Sequence, residues 1–206
     1  MPAPALPSLD LPPLADQHAR LVGLGLDLPP LPPGLDGDLL VVHPRHTPTA
    51  ALVPLLRRQG RAGFVVEDLT DLAQFLPVDG VEVPDADLCA VRGPERGDEH
   101  AGRSPDEVDP QIRARGRSPM TVGEGVAWVL QAPQVLERNH CFMTTGSRRR
   151  SARPGRLDSR VPALWISNGT GRDGPERRDA PKLGWCWAGN HHTWLGIASV
   201  GGRNGG

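Results

Sequence analysis

The side chains that could do chemistry gather late in the chain. His140 and Cys141 are adjacent, Lys182 stands just before a tryptophan-rich run, and Cys186, Asn190, His191 and His192 follow it. A thiol beside an imidazole that an amide orients is the arrangement of a cysteine nucleophile. His140, Cys141, Lys182, Asn190 and His192 are therefore the candidate catalytic residues of a small hydrolase or transferase site near residues 190–192. The same residues can be weighed as a zinc site, since zinc takes four nitrogen and sulfur ligands, usually as closely spaced pairs. Cys186 to His191 is a C-x4-H spacing, but on a strand His140 and Cys141 face opposite sides, so only one of them could join. No metal and no cofactor is expected.

A second kind of chemistry is aromatic. Four of the five tryptophans fall between Val161 and Val200. With a strand period of two, Trp185 and Trp187 share a face, while Cys186 points the other way between Gly184 and Ala188. Each indole buries roughly 150–250 Å², so this reading makes the tryptophans core. Should one face line a cleft, Trp165, Trp187 and Trp194 are the ligand-binding candidates. A third chemistry is cationic: residues 146–160 hold six arginines, of which Arg148, Arg149, Arg150 and Arg153 could hold an anion through bidentate hydrogen bonds. Without interleaved aromatics or a helical frame, a nucleic-acid partner is not expected there.

Elements must position these groups. Residues 1–37 alternate leucine with proline and read as an extended N-terminal arm in which only Ala15–Leu24 is free to be helical. Asp38–His43 is a strand, and Ala50–Gln59 reads as a helix with Pro54 inside it. That strand, loop and helix open like an α/β unit and place His43, Arg45 and His46 where open α/β sheets bind ligands. Phe64–Val66, VDGVEVP and DADLCAV are short strand signals. Residues 92–103 are too polar and glycine-rich for anything but a loop. Ser104-Pro105-Asp106-Glu107 and Thr121–Glu124 are capping boxes that start two helices. His140–Thr145, Val161–Ser167, Leu183–Trp187 and Thr193–Val200 are then strands, with exposed loops at 146–160 and 168–181. The fold class is α+β: an α/β-like first half, capped helices, then an antiparallel Trp-rich C-terminal sheet. The domain spans 38–200 and is followed by a Gly-rich tail at 201–206.

Composition narrows the class further. The net charge of −1 argues against a dedicated nucleic-acid binder, although the carboxyl-terminal part is basic and the rest acidic. Three scattered cysteines without a CxxC pair fit a reducing compartment. The amino terminus lacks the basic and apolar regions of a secretory signal, and no window approaches the ~18 apolar residues of a membrane span. A cytoplasmic protein with no membrane partner is expected. Of 23 basic residues only Lys182 is lysine, a bias of high-GC bacterial genomes, and a lone lysine suggests a use for its compact amine.

The runs ARGRSPMTVGEGVAWVLQAPQVLERNHCF, GSRR, RVPALWIS and PKLGWCWAGNHHTWLGIAS, within residues 114–203, resemble the C-terminal signature of an actinobacterial family of uncharacterised proteins, a domain of unknown function. That resemblance implies bacterial origin and carries no activity, and the insert GTGRDGPERRDA and the Leu/Pro-rich start depart from it. The leading expectation is a non-enzymatic cytoplasmic binding or interaction module for a protein or small-molecule ligand. The alternatives are the His/Cys/Asn enzyme and an anion or nucleic-acid binder using residues 148–160.

Overall fold

The computed structural model describes residues 10–206; the first nine residues of the proline-rich arm lie outside the described residues. Two sheets enclose one helix. The smaller sheet is antiparallel, with β1 (Leu39–Val42) beside β3 (Leu88–Arg92) and β3 beside β8 (Gly202–Asn204). The larger is mixed and five-stranded, in the order β7 (Leu195–Ile197), β4 (Cys141–Met143), β5 (Arg160–Ile166), β6 (Pro181–Trp187), β2 (Phe64–Val65). Its three central strands are antiparallel, while the edge strands β7 and β2 run parallel to their neighbours. The α+β class holds, with the antiparallel ladder at the heart of the tryptophan sheet and parallel pairings at its edges.

The central helix α4 (Val122–Gln131) packs on β1 and on β5, and every one of its residues is buried. Its start is local chemistry: Glu124 N–H donates to Thr121 Oγ1 (3.3 Å) and Thr121 N–H donates to Glu124 Oε2 (2.7 Å). Gly125 lets the helix sit close on the large sheet. A Cβ there would stand 2.8 Å from Thr144 Cγ2 and 2.9 Å from Leu164 Cδ1. The second capping box also forms, and Ser104 N–H donates to Glu107 Oε2 (2.8 Å) at the start of α3 (Pro105–Ala114).

Several elements differ from expectation for identifiable reasons. The helix expected over 50–59 is a single turn, α2 (Thr49–Leu52), running into a 3-10 turn at Val53–Leu55. Pro54 has no N–H to continue it, and Arg57–Arg58 then fold back on Arg61–Ala62 around Gln59 and Gly60, both at positive φ. One turn cannot serve as the crossover that parallel strands need, and β1 and β3 pair antiparallel. VDGVEVP forms no strand. Thr193–Val200 splits: Leu195–Ile197 joins the large sheet, and Ser199–Val200 pairs with Ser118–Pro119.

The termini are structural. Within the arm, α1 (Leu14–Gly23) is helical, and Gln17 ties it to the small sheet. Gln17 Nε2 donates to Pro12 O and Asp38 O (2.7 Å each), and its Oε1 accepts from Leu40 N–H (2.8 Å). Leu11, Leu14, Leu26, Leu28, Leu31 and Leu35 pack on the main apolar cluster. The residues expected as a Gly-rich tail supply β8. Nor is the arginine loop exposed throughout: Ser147 and Arg148 are buried and pair with Leu76–Pro77. Loop 92–103 is anchored by buried Arg96 and His100, with Arg96 Nη1 donating to Val135 O (2.8 Å) and His140 O (3.2 Å).

Candidate functional site

The register of β4, β5 and β6 puts Cys141, Trp165, Lys182, Gly184 and Cys186 on one face of the large sheet. The other face is covered by α4 where Phe142 and Leu164 lie. On the first face a cleft of about 590 Å³ is lined by Cys141, Trp165, Lys182, Cys186 and Trp194, with Asn139, Asn168 and Thr170 also bordering it. Trp165 lies across Gly184: a Cβ at that position would stand 2.5 Å from Trp165 Cη2. The ring of Trp194 meets Trp165 edge-on at 6.2 Å between centroids. These two indoles are half-buried. Of the five, only Trp128 is fully buried; Trp165, Trp185 and Trp194 are half-buried and pack against the main apolar cluster with one side, so the core reading holds for them in part and fails for Trp187.

Trp187 departs from its expected place. It is 46% exposed and does not line the cleft. The register turns Trp185 and Trp187 to the opposite face, where their rings meet at 4.6 Å and Arg160 lies 5.8 Å from the Trp185 ring. Trp185 borders the cleft, yet its Nε1–H points away to Asp68 Oδ1 at 3.3 Å.

The cleft's charges answer one another. Lys182 Nζ donates to both oxygens of Asp173 at 2.8 Å and sits 5.1 Å from the centre of the Trp165 ring. Asp173 is itself buried and accepts from Ser167 Oγ at 2.8 Å. This is the use the lone lysine finds, and the partner comes from the 168–181 segment, read as an exposed turn. An acid placed before a single lysine was the available signal, but the eight residues between them hide the contact.

The candidate catalytic residues do not converge. Cys141 and Lys182 reach the cleft, whereas His140, Asn190 and His192 do not line it. His140 Nδ1 lies 3.5 Å from Asp98, and Asn190 is exposed in a turn. His192 packs edge-on against Trp194 at 5.6 Å, and its Nε2 is buried with no hydrogen-bond partner among the described residues. Burial pushes the thiols of Cys141 and Cys186 up to about 11, so at neutral pH neither is the thiolate that nucleophilic attack requires. Among the described residues no group of three or more His, Cys, Asp or Glu side chains is placed to hold a metal ion.

The arginine loop carries its own counter-charges. Arg149 and Arg160 share Asp71, with Arg160 Nη2 at 2.7 Å from Asp71 Oδ2. Arg150 meets Asp79 at 3.1 Å. Arg148 Nη2 donates to Asp158 O at 2.6 Å, and its nearest carboxylate is Asp106 at 3.8 Å. Arg153 is exposed. Of the anion-binding candidates, Arg148, Arg149 and Arg150 thus act first as ties within the chain.

Fold and cleft together define an α+β protein with a tryptophan-lined cleft on one face of its larger sheet. The chain belongs to a family of unknown function, DUF5701, whose model matches residues 14–206. No curated protein and no solved structure matches it. Among the described residues no helix is long and apolar enough to cross a membrane.

Proposed function

We propose that the protein is a non-enzymatic binding module of the actinobacterial cytoplasm whose ligand enters the tryptophan cleft. The observation that carries this reading is the pair of half-buried indoles, Trp165 and Trp194, facing a cleft in which Lys182 and Asp173 already neutralise each other. Such walls favour a small molecule with a flat or ring-shaped apolar face. Asn139, Asn168 and Thr170 at the border suit hydrogen-bonding groups on its edge. The raised thiol pKa values and the dispersed histidines favour binding over catalysis. The nearly lysine-free composition supports the bacterial origin, and the free cysteines support a reducing compartment.

The test is a thermal-shift and tryptophan-fluorescence screen of nucleosides, indole derivatives and disaccharides against the full chain and its Trp194→Ala variant. At least one class is expected to raise the melting temperature of the parent and to lose that effect in the variant. If no class shows a Trp194-dependent shift, the cleft is not the binding site.

A further inference from the structure

A second cavity, of about 430 Å³, opens where the carboxyl end of β1 meets the amino end of α4. Its size falls in the ~300–1,000 Å³ range of small-molecule pockets. Val41, Leu72, Phe75, Val83, Cys89 and Val122 give it apolar walls, and it shares no lining residue with the tryptophan cleft.

The charged groups that border it are already matched. Glu124 is held by Arg203, with Nε at 2.5 Å from Oε1 and Nη2 at 2.9 Å from Oε2. Arg45 is held by Asp85 and by Asp87, the latter at 2.9 Å. Because Glu124 already occupies the first turn of α4, the positive end of that helix is answered too. Among the described residues an anionic ligand would find no unpaired arginine or lysine lining this cavity.

Two polar groups remain unanswered. Thr49 is only 8% exposed, and among the described residues its hydroxyl makes no hydrogen bond. Its Oγ1 stands beside the first turn of α4, 3.6 Å from where a Cβ on Gly123 would lie. His43 Nδ1 accepts the Arg45 N–H at 3.1 Å, so the neutral ring carries its hydrogen on Nε2, for which no partner is present among the described residues. Burial, then the Arg45 charge, lowers the His43 pKa below the usual imidazole value, which favours that neutral ring. The Thr49 hydroxyl lies on the cavity wall, where a ligand oxygen can take the place of water as its partner.

We propose that this cavity binds a neutral, mainly apolar small molecule carrying one hydrogen-bonding oxygen, such as a medium-chain alcohol or ketone, held by Thr49 Oγ1 and His43 Nε2–H. The apolar chain lies against the walls, and the oxygen satisfies the two groups that the protein leaves open.

Calorimetric titration of the full chain with octanol, methyl hexyl ketone and octanoate tests the assignment. The two neutral probes bind, and octanoate binds about tenfold more weakly or less, because its charge must be stripped of water without a counter-ion. Thr49→Val, which keeps the shape and removes the hydroxyl, weakens the ketone about fivefold, the loss of one neutral hydrogen bond, and leaves the melting temperature in place. Ala50→Trp, at an exposed lining position, abolishes binding of both neutral probes. The assignment is overturned if neither neutral probe binds, or if octanoate binds as tightly as octanol. It is equally overturned if binding survives Ala50→Trp and is lost in Trp194→Ala, which would put the probe in the tryptophan cleft.

Discussion

Asp71 shows how much one side chain can organise. Its carboxylate accepts from Arg160 Nη1 (3.1 Å) and Nη2 (2.7 Å), and Arg149 joins from the same loop. Hydrogen bonding from Arg160 first, and then from Arg149, lowers its pKa from 3.8 to about 2 against the opposing effect of burial. A folded-state pKa below the unfolded one contributes stability that is complete above the unfolded value and is lost as pH falls through the folded one. Asp71→Asn is therefore expected to melt below the parent at neutral pH. That gap should close as pH falls from 3.8 towards about 2, as circular-dichroism melts at stepped pH would reveal; a gap independent of pH would contradict the assignment. Six arginines in sequence announced a cationic loop. Nothing local indicated that Asp71, some eighty residues upstream, would neutralise it, because the pairing is made by the fold.

Among the elements, β6 carries the most consequence. Gly184 on β6 leaves the space that Trp165 fills from β5. Gly184→Ala would drive a methyl group into the indole, and overpacking of this kind costs about 1–3 kcal/mol. The expected outcome is a lower denaturant midpoint together with a changed near-ultraviolet dichroism as Trp165 is displaced. A variant with parental spectrum and midpoint would show that the indole does not lie over the strand. The strand itself was legible from alternation, and both capped helices were legible from Ser104, Glu107, Thr121 and Glu124, because caps are made within four residues. The helix over 50–59 was misjudged for the opposite reason: its apolar spacing suited a helix, and Pro54 with the Gln59-Gly60 turn overrode it.

For the molecule as a whole, the carboxyl terminus closes the fold. β8 completes the small sheet, and Arg203 within it reaches Glu124 at the start of the buried helix. Arg203 and Glu124 side chains are 6% and 1% exposed, and breaking a buried pair costs about 3–5 kcal/mol, a large part of the ~5–15 kcal/mol that holds a domain together. A chain ending at Gly201 is expected to lose cooperative unfolding, while Arg203→Met in the full-length chain keeps a cooperative transition at a lower midpoint. Urea melts followed by fluorescence would check both, and an unchanged midpoint for Arg203→Met would count against the pair. Period-two alternation, capping boxes and proline placement act over a few residues, so the α+β class, the strand positions of β1, β3, β5 and β6 and the starts of α3 and α4 could be read directly. Which strands pair, that β8 returns to β3, that Asp173 meets Lys182, and that Trp165 faces a cleft while Trp187 faces solvent are decided between segments far apart in the chain. Those contacts depend on burial and register in three dimensions, for which a linear pattern holds no coordinate.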